Sequence, residues 1–342
     1  MSKINMLSMS IEEMTQVFDK MNQPKFRAKQ VYTMLHKGIE SFDEITTLPK
    51  DVREKLEEDY STGILKVKDI YVSTDGTKKY LFELVDGNLI ETVVMKYKHG
   101  NSICISSQVG CKMGCIFCAS SGVGFIRDME AGEMLSQVIS AQLYSGEKIS
   151  NIVVMGIGEP FDNFDNLIKF LKVVNSKDGI NIGMRHITVS TCGIVPKISE
   201  LADMDMQLTL AISLHAPFED MRSGMLPINK KYGIFKVLGI CKEYAQKTGR
   251  RITFEYALIK NLNDSKECAD ELARITKGIN CHINLIGMND ISGLDLKKPS
   301  AKVINQFKET LERNGVSVTV RRELGNDIEA SCGQLRRSYI NE

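Results

Sequence analysis

The sequence predicts an α/β fold: a partial (β/α) barrel preceded by a small helical domain and a β-hairpin extension. Three observations carry this. Helical periodicity fills the first sixty residues, the apolar period then falls to two until about residue 96, and strand and helix patterns alternate from there almost to the end. At 342 residues and 43% hydrophobic, the chain can bury one large core plus a small appendage.

Ser10 followed by Glu13 is a capping-box signature, and Ile11, Met14, Phe18 and Met21 then share one helical face. Pro24 interrupts that helix. Ala28, Val31, Tyr32 and Leu35 mark a second, and Pro49, backed by Val52 and Leu56, opens a third. Lys25, Arg27 and Lys29 make the start of the second helix basic; a solvated surface is the default explanation, an RNA-docking face the sharper one. Asp75-Gly76 and Asp86-Gly87 then separate β-rich runs and predict hairpins, the last strand of which carries Glu91. Further strands are expected at 102–106, 151–155, 186–190, 208–213, 252–257, 282–286 and 316–320, with amphipathic helices such as 132–144 and 235–248 between most of them. Repeated βα units imply a parallel sheet with helices outside, and this number of short strands suits a complete or partial barrel. The expected divisions are 1–60, 61–96, 97–330 and a C-terminal loop and tail, 331–342.

Composition narrows the class. The first residues lack a charged segment followed by a long apolar run, and no stretch is long enough to span a bilayer. Nine unevenly spaced cysteines fit a reducing cytoplasm better than a disulfide framework. A net charge of +1 says nothing about nucleic acid, because a local basic face can sit within a balanced total.

Cys111, Cys115 and Cys118 form a CxxxCxxC triplet. Three thiolates this close on one loop can hold three irons of a four-iron, four-sulfur cluster. The next cysteine, Cys192, is far downstream, so one iron would keep an open site for a small molecule. Structural zinc closes with four protein ligands and fits the triplet less well. In parallel α/β folds chemistry gathers at the C-terminal ends of strands. There the chain places the triplet, then Gly158 and Glu159, then Ser190, then Ser213, Leu214 and His215, then Asn289, and finally the segment containing Cys332. Taken singly, His215 reads as a structural histidine, Cys104 as a core thiol and Glu91 equally as an outward strand residue. Cys192, Cys241, Cys268 and Cys281 read as structural.

The runs from Cys104 to Cys111, Met155 to Pro160, Ser213 to Ala216, Pro227 to Tyr232 and Asp327 to Leu335 make the resemblance specific. Over nearly its whole length the chain resembles the RlmN/Cfr family of radical S-adenosylmethionine (SAM) adenine methyltransferases. The resemblance implies a radical SAM barrel whose cluster is held by Cys111, Cys115 and Cys118. It implies that Gly158 and Glu159 bind the methionine amine, and that Ser190, Ser213, Leu214, His215 and Asn289 hold the cofactor's ribose and carboxylate. Two SAM molecules would serve each turnover. One methylates Cys332, and the other yields the radical that activates that methyl group for attack on the adenine. Glu91 would accept the ring proton, and Cys104 would release the product through a transient disulfide with Cys332. The implied substrates are carbon 2 of an adenosine in the peptidyl-transferase region of 23S rRNA and an adenosine next to the tRNA anticodon. The implied setting is a cytoplasmic monomer reduced by flavodoxin or ferredoxin. Carbon-8 methylation is the nearest alternative, against which Val109 and Pro160 lean; an iron–sulfur redox protein without SAM chemistry is a more distant one. Lys230-Lys231, Arg250-Arg251, Arg321-Arg322 and Arg336-Arg337 are candidate phosphate contacts.

Overall fold

The capping box forms as the sequence predicts. In the computed structural model, which describes residues 3–98, 100–289, 295–331 and 333–335, the Ser10 hydroxyl accepts from the Glu13 amide and the Glu13 carboxylate from the Ser10 amide. Helix α1 (Ile11–Lys20) buries Met14 and Phe18. Helices α2 (Lys25–Leu35) and α3 (Lys50–Asp59) each begin directly after a proline, whose fixed φ suits a helix start. Strands β1 (Ile4–Asn5) and β2 (Tyr60–Ser61) pair in parallel across this region. Its apolar faces share one core with the barrel. Thr33 Oγ1 donates to the Asp178 carbonyl at 3.3 Å, and Lys29 pairs with the Asp178 carboxylate at 2.8 Å. One cation of the basic helix start is therefore engaged by the chain itself.

Strands β3 (Lys66–Val72), β4 (Lys78–Glu83) and β5 (Leu89–Tyr97) form an antiparallel meander. Both Asp-Gly turns are present: Asp75 accepts from the Thr77 amide at 2.8 Å and Asp86 from the Asn88 amide at 3.1 Å. Gly76 and Gly87 take the positive φ such turns demand. The hairpins are continuous with the barrel, because β5 pairs antiparallel with β6 (Gly100–Ile105). A short ribbon of β7 (Gln108–Gly110) and β8 (Phe125–Asp128) brackets the cysteine loop. Parallel pairing runs from β6 through β9 (Ile149–Val154), β10 (Ile187–Thr191), β11 (Thr209–Ser213), β12 (Ile252–Leu258) and β13 (Cys281–Gly287) to β14 (Val318–Val320). The result is one ten-stranded sheet ordered β14-β13-β12-β11-β10-β9-β6-β5-β4-β3, with β14 and the meander at opposite ends, so the barrel is partial. All seven barrel strands expected from the sequence are found, with ends shifted by about two residues at most.

Helices α4 (Ala131–Ser145), α5 (Phe164–Val174), α6 (Val195–Ala202), α7 (Glu219–Met225), α8 (Ile234–Thr248), α9 (Lys266–Thr276) and α10 (Ala301–Arg313) follow their strands. Beyond β14 the chain returns to the meander, where Leu324, Ala330 and Leu335 pack against Val93, Met95 and Ile157 in a separate apolar cluster. No helix among the described residues is long and apolar enough to cross a membrane.

A core shared by the N-terminal helices and the barrel predicts cooperative unfolding. Phe18→Ala, at a fully buried site, is expected to lower the unfolding free energy by about 3 kcal/mol while keeping a single urea transition. A separate early transition would show that the N-terminal helices fold on their own.

Candidate active site

The cysteine loop is set by backbone that only glycine permits. Gly110 lies at φ +78°, and a Cβ there would overlap the Gly124 carbonyl oxygen, which accepts from the Cys111 amide at 3.1 Å. Farther along, the Ile116 amide donates to the Met225 carbonyl at 3.2 Å, leaning the loop on α7. Cys111, Cys115 and Cys118 thereby line one cavity of about 1000 Å³. Burial pushes the Cys111 thiol up to about 11 and the Cys115 thiol higher still, so binding iron would release protons. Among the described residues, no three His, Cys, Asp or Glu side chains converge as a single metal ion requires. Three loop thiolates match a cluster that keeps one iron open, whereas structural zinc closes with four protein ligands, so this donor set fits the cluster better than closed zinc.

Residues from successive strand ends complete the wall. Gly158 sits at φ +106°, where a Cβ would lie 2.6 Å from Gln108 Cβ. That close approach lets Gln108 Oε1 accept from the Glu159 amide at 2.8 Å. The Glu159 carboxylate accepts from the Phe161 amide at 3.0 Å and the Cys192 amide at 2.7 Å. Burial raises its pKa, so a cationic ligand would favour its ionised form. Ser190, Ser213, His215 and Asn289 line the same cavity. His215, at φ +57°, accepts from the Ala257 amide through Nδ1 at 2.9 Å, so its proton resides on Nε2. Burial, then the charge of Arg222, holds the imidazole at about 3 and keeps it neutral at physiological pH. Phe117 of the cysteine loop packs edge-on against the His215 ring, 4.5 Å between centroids. Leu214 differs from its neighbours: its side chain belongs to the main core and does not line the cavity.

Three participants escaped the sequence reading. Arg222 on α7 is 0% exposed. Its Nη2 donates to the carbonyls of Cys192 at 2.8 Å and Ser213 at 3.1 Å, its Nε to that of Leu214 at 3.2 Å, and its Nη1 to Asn229 Oδ1 at 2.6 Å. Asn229 stood in a quoted motif without a role; nothing local marked Arg222. Glu255 on β12 lines the cavity, accepts from Asn284 at 2.8 Å and is raised by burial. A lone carboxylate in an otherwise apolar strand was the readable signal for it. Cys192, read as structural, also lines the cavity, and its backbone holds both Glu159 and Arg222; Cys241 and Cys268 are buried free thiols in the core.

The remaining reactive residues lie toward the meander. Cys104, paired with Val93 across β6 and β5, lines an adjoining cavity of about 680 Å³. Cys118, Asn289, Arg321 and Gly333 line both cavities. Cys332 lies outside the described residues, as do Arg336 and Arg337. Next to it in the chain, the Gly333 carbonyl accepts from the Ala119 amide at 2.9 Å, and the Leu335 carbonyl accepts from the Ser120 hydroxyl at 2.8 Å. Both bonds join the C-terminal segment to the cysteine loop. The described cysteines are all free thiols. Glu91 is buried, not outward, and forms an ion pair with equally buried Lys79 at 3.0 Å. It is not among the residues lining either cavity. Of the basic pairs, Lys230, Lys231, Arg251 and Arg322 are exposed, whereas Arg250 donates to the Leu208 carbonyl at 3.3 Å.

A parallel partial barrel with a three-cysteine loop after its first parallel strand, and a buried glutamate after the next, defines a radical SAM enzyme. Residues 105–272 match the radical SAM superfamily, and residues 4–61 match the ribosomal RNA large subunit methyltransferase N-terminal domain. The chain is 53% identical over 338 residues to the probable dual-specificity RNA methyltransferase RlmN of Clostridium novyi, covering 98% of each. It is 51% identical to that of Alkaliphilus oremlandii, covering 99% of each. The crystal structure of a radical SAM methyltransferase from Sphaerobacter thermophilus is similar across 98% of this chain and 100% of that one, with a TM-score of 0.95 and 40% identity. The chain belongs to the RlmN family.

Anaerobically reconstituted protein is expected to carry about four irons per chain, and the triple variant Cys111→Ala/Cys115→Ala/Cys118→Ala close to none. Iron analysis that finds undiminished metal in the triple variant would refute the ligand assignment.

Proposed function

We propose that this chain methylates carbon 2 of an adenosine in the peptidyl-transferase region of 23S rRNA, and of an adenosine next to the tRNA anticodon, by way of S-methylcysteine at Cys332. The observation that carries this reading is the junction of two cavities. One is lined by the cysteine loop and Glu159, the other by Cys104, and Gly333 borders both.

A cluster held by Cys111, Cys115 and Cys118 would supply the electron that turns bound SAM into a source of a hydrogen-abstracting radical. The chain's own groups would do the rest. Glu159 takes the methionine ammonium, whose charge compensates a carboxylate that burial otherwise disfavours. Ser190, Ser213, the Nε2–H of His215 and Asn289 offer hydroxyl, imidazole and amide partners for ribose and carboxylate. Carbon 2 of adenine is electrophilic and cannot take an electrophilic methyl group, so the methyl first passes to the Cys332 thiolate. After hydrogen abstraction, the carbon radical on the Cys332 sulfur adds to the ring. The adduct would give up its unpaired electron to the cluster; Glu91, paired with Lys79 in this structure, accepts the ring proton on leaving that pair, and the Cys104 thiolate attacks the Cys332 sulfur. The sulfur–carbon bond to the RNA breaks as the disulfide between Cys104 and Cys332 forms, and the departing carbon keeps the bonding pair and takes up a proton to become the methyl group. Cys104 lines the second cavity from β6, across the strand pair from Val93, two residues from Glu91.

The target adenosine must leave its stack to reach a barrel-end site, which favours loops over duplex. Exposed Lys230, Lys231, Arg251 and Arg322 serve as phosphate contacts in this reading. The protein acts as a cytoplasmic monomer that draws electrons from a carrier such as flavodoxin or ferredoxin.

Cys104→Ala is expected to attack RNA but not release it, so the variant should be isolated covalently joined to RNA, while Cys104→Ala/Cys332→Ala should not. Normal turnover by the single variant would reduce Cys104 to a packing residue. Nuclease digestion and mass spectrometry of rRNA and tRNA from a deletion strain, with and without this gene, should show 2-methyladenosine as the new nucleoside. Mainly 8-methyladenosine would move the protein to the carbon-8 branch, and neither nucleoside would end the RNA-methylation reading.

A further inference from the structure

We propose that the β3–β4 turn is a positioning device for the C-terminal segment that carries Cys332, with Ser73, Asp75 and Asp327 as positioning residues. This rests on the reading of Cys332 as the methyl carrier.

The turn and the segment exchange hydrogen bonds in both directions, although about 250 residues separate them in the chain. Asp327 Oδ1 accepts from the Ser73 hydroxyl at 2.5 Å, and Oδ2 accepts from the Thr74 amide at 3.0 Å. In return Asp75 Oδ2 accepts from the Gly325 amide at 2.8 Å, while its other oxygen braces its own turn at the Thr77 amide. Gly325 approaches so closely that a Cβ would meet both Thr77 Cγ2 and Ala330 Cβ at 2.9 Å. The Ser73 hydroxyl bond, first among several, keeps the Asp327 carboxyl below its ordinary range, so the acceptor stays ionised at neutral pH. Lys79 adds a bond from Nζ to the Glu329 carbonyl at 3.4 Å, from the same ammonium that pairs with Glu91.

A surface turn needs none of this. Strand β3 is the sheet's edge and most of its residues are exposed, so the core contribution of the hairpin comes from β4; the turn itself reaches the segment 325–329. The far end of that segment is tied to the cysteine loop through Gly333 and Leu335. Between them the Ser331 hydroxyl donates to the Leu324 carbonyl at 2.8 Å, and its amide donates to Gln334 Oε1 at 3.0 Å, folding the segment on itself. The described residues on either side of position 332 are thus anchored, 325 and 327 on the hairpin and 333 and 335 on the cysteine loop. A cysteine that must meet SAM, adenine and Cys104 in turn needs such fixed anchors, since misplacement by about 1 Å can cost a hundredfold in rate.

The test uses the full chain with its cluster reconstituted, SAM, dithionite and a 23S rRNA fragment. Asp327→Ala and Ser73→Ala/Asp75→Ala are expected to retain iron and thermal stability. They should still form 5′-deoxyadenosine, yet yield roughly tenfold less methylated adenosine per 5′-deoxyadenosine. Ser73→Thr, which keeps the hydroxyl, should couple like the parent. An unchanged ratio in both alanine variants would overturn the proposal. Should either lose iron or melt early, Ser73→Ala alone decides, because it removes a single hydroxyl and leaves both carboxylates in place; full coupling there counts against the anchor. Methylated RNA from Cys332→Ala would instead remove the reading of Cys332 itself, whatever the turn variants do.

Discussion

A guanidinium sealed from water holds the rim of this barrel together. Arg222 spends its donors on the carbonyls of Cys192, Ser213 and Leu214 and on Asn229. Two consecutive strand-end turns are thereby pinned to one rigid fork, and Asn229 extends the link to the 3₁₀ turn Pro227–Lys230. A buried charge is tolerated only when its donors are met. The polypeptide around it has therefore little freedom to rearrange: moving any one of these carbonyls strands a buried donor. His215 gains its left-handed backbone and Nδ1 contact within this arrangement. The Cys192 amide is likewise kept on Glu159.

The cavity this rim encloses is electrostatically unfinished. Glu159 and Glu255 are buried carboxylates whose environment disfavours their charge, and the Cys111 and Cys115 thiols are pushed upward by the same burial. Cationic and metal-containing ligands suit such a site, since a positive charge favours carboxylate and thiolate alike, as Arg321 already does for Glu255. A neutral histidine adds hydrogen bonding without opposing that charge. Preference for a sulfonium amino acid beside an iron cluster is consistent with the burial pattern as well as with the identities of the residues.

Both ends of the chain are enlisted around this centre. The N-terminal helices join the barrel core, and the C-terminal segment crosses from the meander to the cysteine loop. The meander is more than an appendage: its strand β5 connects the buried pair of Glu91 and Lys79 with the Cys104 strand, while its first turn grips Asp327.

What was legible in the sequence was local. The capping box at Ser10, the two Asp-Gly turns, seven strand positions and the cysteine spacing each arise from interactions a few residues apart, so the linear order records them directly. The strand-end rule extended this to Glu159, Ser190, Ser213, His215 and Asn289, because a parallel sheet brings equivalent ends to one rim. Leu214 stood in the same turn yet faces the core, as adjacent residues in extended chain face opposite sides. Arg222, the bond of Glu255 to Asn284, the inward pairing of Glu91 with Lys79 and the grip of Asp75 and Asp327 were decided only by tertiary structure. A charge reads as solvated until its surroundings are known, and those surroundings come from segments tens to hundreds of residues away. Spacing along the chain determines which elements form and where their ends lie; burial and charge pairing depend on which distant segments pack there.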